Sequence, residues 1–121
     1  MRLLIVDDSN LIRNRIARLA GDRRMPPCQV VGLAGNGAEA LDIFVKAQPD
    51  VVTMDLTMPR MDGIECTEAM VNVNPDVMIL VVSALSDKAT ALCALKKGAR
   101  GFLYKPFTDE QLIGAIRELV G

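Results

Sequence analysis

Five short apolar runs, each stopped by a polar residue and followed by a stretch of helical periodicity, restrict this chain to few architectures. The runs cover residues 3–6, 30–34, 51–55, 77–82 and 101–104. They are continuously apolar instead of alternating, so both faces of each strand must be covered. Between them, helical spacing begins near residues 11, 37, 63, 87 and 108. Strand and helix alternate five times without interruption, which predicts a parallel α/β sheet. Ala38, Leu41 and Val45, with Phe44 beside them, are the expected inward face of the second helix. Ile64, Thr67 and Val71 fill that role in the third, and Leu112, Ile116 and Leu119 in the fifth. Asp87 is placed as a helix cap, Gly98 as a helix end, and Thr108 to Gln111 as a capping box.

Residues 1–121 are read as one domain, long enough to bury a core without staples. Aromatic residues make up 3%, so that core is built from Val, Ile, Leu, Ala and Met. Fourteen Lys and Arg against fifteen Asp and Glu leave a net charge of -1, which argues against nucleic acid as a direct partner. The first apolar run is too short for a signal peptide or a membrane span, and the expected location is cytoplasmic, without membrane contact. Cys28, Cys66 and Cys93 are odd in number and far apart, and are expected to be small buried thiols in a reducing compartment. There is no histidine, which excludes a Ser-His-Asp triad, a His-ligated metal and a histidine base. The Gly-rich Lys-Ser/Thr loop of P-loop nucleotidases is also missing.

The strand ends carry the chemistry. The first run stops at Asp7-Asp8, the third at Asp55, the fourth at Ser83 and the fifth at Lys105. In a parallel sheet these ends share one edge, where a crevice opens at the reversal of strand order. Each residue alone could be a cap or a turn. Together they place three carboxylates, a hydroxyl and an ammonium at one edge, and three carboxylates repel unless a cation joins them. With only oxygen donors, a hard ion such as Mg2+ (or Mn2+) is favoured. A carboxylate nucleophile, a hard metal, a lysine and a hydroxyl are what phosphoryl transfer to an aspartate requires.

The segments Val6-Asp7-Asp8-Ser9, Met54-Asp55, Met58-Pro59-Arg60-Met61-Asp62-Gly63, Val82-Ser83-Ala84 and Lys105-Pro106-Phe107 follow one another in this order. In this set the chain resembles the receiver domain of two-component response regulators over essentially its whole length, and in particular the single-domain chemotaxis type. The resemblance implies a flavodoxin-like, doubly wound (βα)5 fold with strand order 2-1-3-4-5. It makes Asp55 the phosphoacceptor, fed by a sensor histidine kinase, a phosphotransfer protein or a small phosphodonor. By the same resemblance Asp8, Asp55 and the carbonyl of Thr57 are direct metal ligands, and Asp7 acts mostly through water. Ser83 is the switch hydroxyl, Phe102 the switch aromatic, and Lys105 the partner of the phosphoryl group, with a cis bond to Pro106. Such a chain is no enzyme in the ordinary sense but promotes its own phosphorylation and dephosphorylation. It would control a downstream protein through the fourth helix, fifth strand and fifth helix.

Three other readings stay open at this point. A receiver that no longer takes phosphate could serve as a docking module. An aspartate-nucleophile phosphatase usually carries a second Asp two residues after the nucleophile, where this chain has Thr57. A flavin carrier would have three Phe and one Tyr to stack on the ring. Arg13, Arg15, Arg18, Arg23 and Arg24 make the N-terminal part basic; a solvated face is the simpler reading, and kinase docking through the first helix the functional one.

Overall fold

The computed structural model describes residues 1–121 apart from residues 57, 59, 60, 85 and 87. Thr57 as a metal ligand, the Pro59-Arg60 part of the Met58–Gly63 segment and the Asp87 cap therefore lie outside the described residues. The elements are β1 (Arg2–Val6), α1 (Asn10–Leu19), β2 (Gln29–Ala34), α2 (Gly37–Ala47), β3 (Val51–Asp55), α3 (Gly63–Val73), β4 (Met78–Ala84), α4 (Lys88–Lys96), β5 (Gly101–Lys105) and α5 (Asp109–Val120). All strands pair in parallel in the order β2-β1-β3-β4-β5. The chain winds outward from β1 to β2, then crosses to β3 and continues the other way. The reversal falls between β1 and β3.

Strand pleating sorts the side chains into two cores. Leu4, Val6, Val52, Met54, Ile79 and Val81 face α2, α3 and α4, where Phe44, Cys66, Met70, Ala91 and Ala94 meet them. Leu3, Ile5, Val51, Leu80 and Val82 face α1 and α5, against Ile16, Leu19, Leu112, Ile113 and Ile116. The strands are apolar on both sides because both sides are covered. Caps punctuate the helices as their sequences require: Ser9, Asn36 and Asp62 each accept an amide of the first turn, and Thr108 with Gln111 forms the expected capping box. Gly98 takes φ +119 after α4, a conformation that favours glycine.

The helix faces need correction. In α2 the buried residues are Gly37, Ala40 and Phe44, while Ala38 is exposed and Val45 is 55% exposed. The bulk of Phe44 claims the core and turns the helix by about one residue from the expected phase. In α3 Thr67 is buried as expected, but Cys66 and Met70 flank it, and Ile64 and Val71 are only partly covered. Of the thiols, only Cys66 is buried; Cys28 and Cys93 are half-buried. Burial pushes the Cys66 thiol up to about 12, and its Sγ donates to the Gly37 carbonyl at 3.5 Å. It stays protonated and unreactive at neutral pH.

Thr53 is buried in mid-sheet, and its hydroxyl has no hydrogen-bond partner among the described residues. A buried unsatisfied hydroxyl costs stability that an isosteric methyl does not. Thr53→Val is expected to raise the urea midpoint at unchanged m-value, by the equivalent of about 1 kcal/mol of stability. A midpoint that falls would show that the hydroxyl is bonded in solution.

Candidate functional site

The C-terminal ends of β1, β3 and β5 deliver four ionisable groups to one place. Asp7 follows Val6 directly, and its amide still extends the ladder to the Ala34 carbonyl at 3.0 Å. Its buried carboxylate accepts the Ser9 amide at 2.9 Å and the Lys105 ammonium at 2.9 Å. Asp55 is the last residue of β3, also buried, with an oxygen 3.5 Å from Lys105 Nζ. Asp8 is exposed at the rim. Asp7, Asp8 and Asp55 can offer oxygens that all lie within 4.8 Å of one another.

Lys105 is the counter-charge. Burial works against its ammonium form, but the hydrogen bond it donates to Asp7 and the nearby Asp55 charge outweigh this and hold the amine above a lysine's ordinary value. A raised folded-state value means that this stabilisation is fully present below the ordinary lysine range and is lost only as pH climbs through the folded value. The pocket brings three aspartate side chains and one ammonium together. Oxygen-only donors with this charge imbalance suit a hard divalent cation.

Ser83 sits near the end of β4, buried, its hydroxyl without a hydrogen-bond partner among the described residues. Strand register sets it beside Tyr104, and sets Ala84 beside Lys105. Phe102 is 42% exposed on β5 and stacks at a tilt on Tyr104, with ring centroids 5.2 Å apart. The sequence-predicted Asp7, Asp8, Asp55 and Lys105 thus converge, Ser83 borders them, and Phe102 lies farther along β5. The Lys105–Pro106 bond is cis.

The contacts of two of the N-terminal arginines are not legible in the sequence. Arg13 donates to the Asp7 carbonyl and to Asn10 Oδ1, which ties the acidic turn to the first turns of α1. Arg15 reaches the loop after β5, where it donates to the Phe107 carbonyl and pairs with Asp109. Partners 92 and 94 residues away leave no local signal. The basic N-terminal part is therefore not simply a solvated face, although Arg18 is exposed and makes no ion pair among the described residues.

Residues 3–117 match the family model of the response regulator receiver domain. The chain belongs to the response regulator receiver family. It is 35% identical to the chemotaxis protein CheY of Listeria monocytogenes, over 98% of this chain and 97% of that one. A protein-glutamate methylesterase/protein-glutamine glutaminase of Halobacterium salinarum is 44% identical over 97% of this chain but only 34% of its own length. Among solved structures, a CheX-CheY-BeF3-Mg complex from Borrelia burgdorferi superposes on the whole receiver with a TM-score of 0.91 at 26% identity, covering 90% of that chain. The expected order 2-1-3-4-5 and the flavodoxin-like fold hold for this receiver. Among the described residues no helix is long and apolar enough to cross a membrane.

Proposed function

We propose that this receiver is a phosphorylation switch of the chemotaxis-regulator type, with Asp55 as the phosphoacceptor. The reading rests on one observation: a buried carboxylate at the end of β3 faces an ammonium at 3.5 Å and two further carboxylates within 4.8 Å. An Asp55 oxygen attacks the phosphorus of a kinase phosphohistidine; the O–P bond forms as the P–N bond breaks, and the imidazole leaves with a proton from solvent. Lys105 carries the fixed positive charge for the phosphoryl oxygens, and its two carboxylate contacts hold it in place before the donor arrives.

Asp8 and Asp55, with Asp7 behind them, would hold Mg2+, and Thr57 would offer its carbonyl. When bound, the ion neutralises charge on the transferring group. Ser83, a hydroxyl buried without a partner among the described residues, is the group that a phosphoryl oxygen on Asp55 would recruit. Its move biases the two-state surface of α4, β5 and α5. That face already exposes Phe102 and Leu92 and carries an open cleft of about 530 Å3 between Leu95, Phe102, Ala115 and Leu119, suited to a downstream protein. Cytoplasmic location and no direct contact with nucleic acid or membrane belong to the same reading.

The test is labelling with a small phosphodonor and Mg2+. Wild type is expected to take up about one acid-labile phosphate per chain, only in the presence of the metal. Absence of uptake by metal-saturated wild type would replace this reading with that of a docking module, and turnover of a phosphate ester in excess of protein with that of a phosphatase.

A further inference from the structure

The loop that follows Lys105 is held from outside its own strand. Arg15, midway along α1, donates from Nη2 to the Phe107 carbonyl at 2.7 Å and to Asp109 Oδ1 at 2.9 Å, and from Nε to the same oxygen at 3.2 Å. Its guanidinium carbon lies 4.5 Å from the centroid of the Phe107 ring, and that ring is buried in the core between α1 and α5. One side chain thus grips the backbone, the ring and the first acid of α5 within a few residues of the lysine. Thr108 and its capping box fix the next turn.

We propose that Arg15 is a positioning residue for Lys105, acting through the Phe107 carbonyl and ring, and so sets the rate of phosphoryl uptake. The proposal rests on the phosphoacceptor reading above. Its physical basis is the weakness of the lysine's own support. Lys105 closes β5, an edge strand with β4 as its single neighbour, and its flexible side chain must span to Asp7 at 2.9 Å and Asp55 at 3.5 Å. The Arg15 grip supplies the missing second anchor, and it comes from the helix whose N-cap, Ser9, is bonded to Asp7. The acidic turn, α1 and the lysine loop are therefore tied into one piece, with the acids and the amine at a fixed separation. An exposed ion pair alone would add little. The carbonyl bond and the ring contact distinguish this one, and a lysine at position 15 cannot reproduce them together.

The experiment is a double-mutant cycle on the rate of labelling by the small phosphodonor, well below the unfolding temperature. Arg15→Ala is expected to slow labelling about tenfold in the wild-type background, because small misplacements of a charge-stabilising group are costly. In a Lys105→Ala background the same change is expected to cost less than about twofold, since the group it positions is gone. Arg15→Lys should fall between wild type and Arg15→Ala, Mg2+ affinity should stay within about twofold of wild type, and Arg18→Ala should label at the wild-type rate. An equal slowing in both backgrounds would reduce Arg15 to a general structural role and overturn the proposal, as would an unchanged rate in Arg15→Ala. Wild type that takes up no phosphate would overturn the phosphoacceptor reading itself and the role assigned to Arg15 within it.

Discussion

An Asp55→Asn chain is expected to take up no acid-labile phosphate and yet to unfold at a higher urea concentration than wild type when divalent cations are chelated. The first half follows from chemistry: an amide oxygen is a poor nucleophile towards phosphorus and cannot form the acyl phosphate. The second follows from charge. Asp7, Asp8 and Asp55 offer oxygens within 4.8 Å of one another, and Lys105, 2.9 Å from Asp7, sits farther from Asp55 at 3.5 Å. Like charges at such separations repel by on the order of 3 kcal/mol per pair at a partly solvated site. Asn keeps the shape of Asp, removes two of the repulsive pairs and leaves Lys105 with Asp7. After the lost attraction to Lys105 and the weakening of the other contacts of Asp55 are subtracted, a net gain of up to about 1 kcal/mol is expected. Saturating Mg2+ should reverse the order, because an ion at a hundred times its Kd adds about 2.7 kcal/mol and wild type binds it better. Paired urea melts in chelator and in Mg2+ decide it. A mutant less stable than wild type in chelator would show that existing contacts already compensate the Asp55 charge.

The converse substitution has the opposite sign. Lys105→Ala removes the ammonium and leaves Asp7 buried with, among the described residues, the Ser9 amide on one oxygen. Breaking one side of a buried pair costs several kcal/mol, and with Lys105 itself 25% exposed the expected loss in chelator is about 2 kcal/mol. Mg2+ should restore more stability to this variant than to wild type, since the ion then meets an uncompensated acid cluster. An equal gain for both proteins would place the ion away from Asp7.

The site was legible because its residues are defined by where strands stop. An apolar run ending in Asp, Ser or Lys is a local signal, and the parallel fold does the rest by aligning the ends of β1, β3, β4 and β5. The supporting contacts have no such signal. Arg15 and Asp109 lie 94 residues apart, and only the packing of α1 beside α5 brings them together. Helix phase failed in α2 for a related reason. Ala38, Leu41 and Val45 make as good a stripe on paper as Gly37, Ala40 and Phe44, and the choice between them is made by the space that α3 leaves for a phenyl ring. Thr53 reads as one more β-former in its run, and nothing among apolar neighbours tells that its hydroxyl is buried without a partner among the described residues.

Replacing Gly63 is expected to damage both the fold and the site, although Gly63 has no side chain to take part in the chemistry. It opens α3 and donates its amide to the Leu56 carbonyl at 3.0 Å, which brings the helix start against the end of β3. A methyl group there would meet the Asp55 carbonyl oxygen at 2.3 Å and the Leu56 Cα at 2.6 Å. Both are backbone atoms at the end of β3, in Asp55 and the residue after it, so relief requires moving Asp55 or α3. Gly63→Ala should therefore cost about 3 kcal/mol, the upper range for overpacking, and slow phosphoryl uptake in the fraction that stays folded. Gly114 supplies the opposite case within the same chain. It lies in the exposed face of α5, and a methyl group built on it meets nothing within 4 Å. Gly114→Ala should stabilise the protein by about 0.8 kcal/mol through helix propensity and leave the labelling rate unchanged. Urea melts of the two variants should move in opposite directions from wild type. If Gly63→Ala melts with wild type, the approach of α3 to Asp55 is looser than 2.3 Å implies, and the backbone at Asp55 is free to shift.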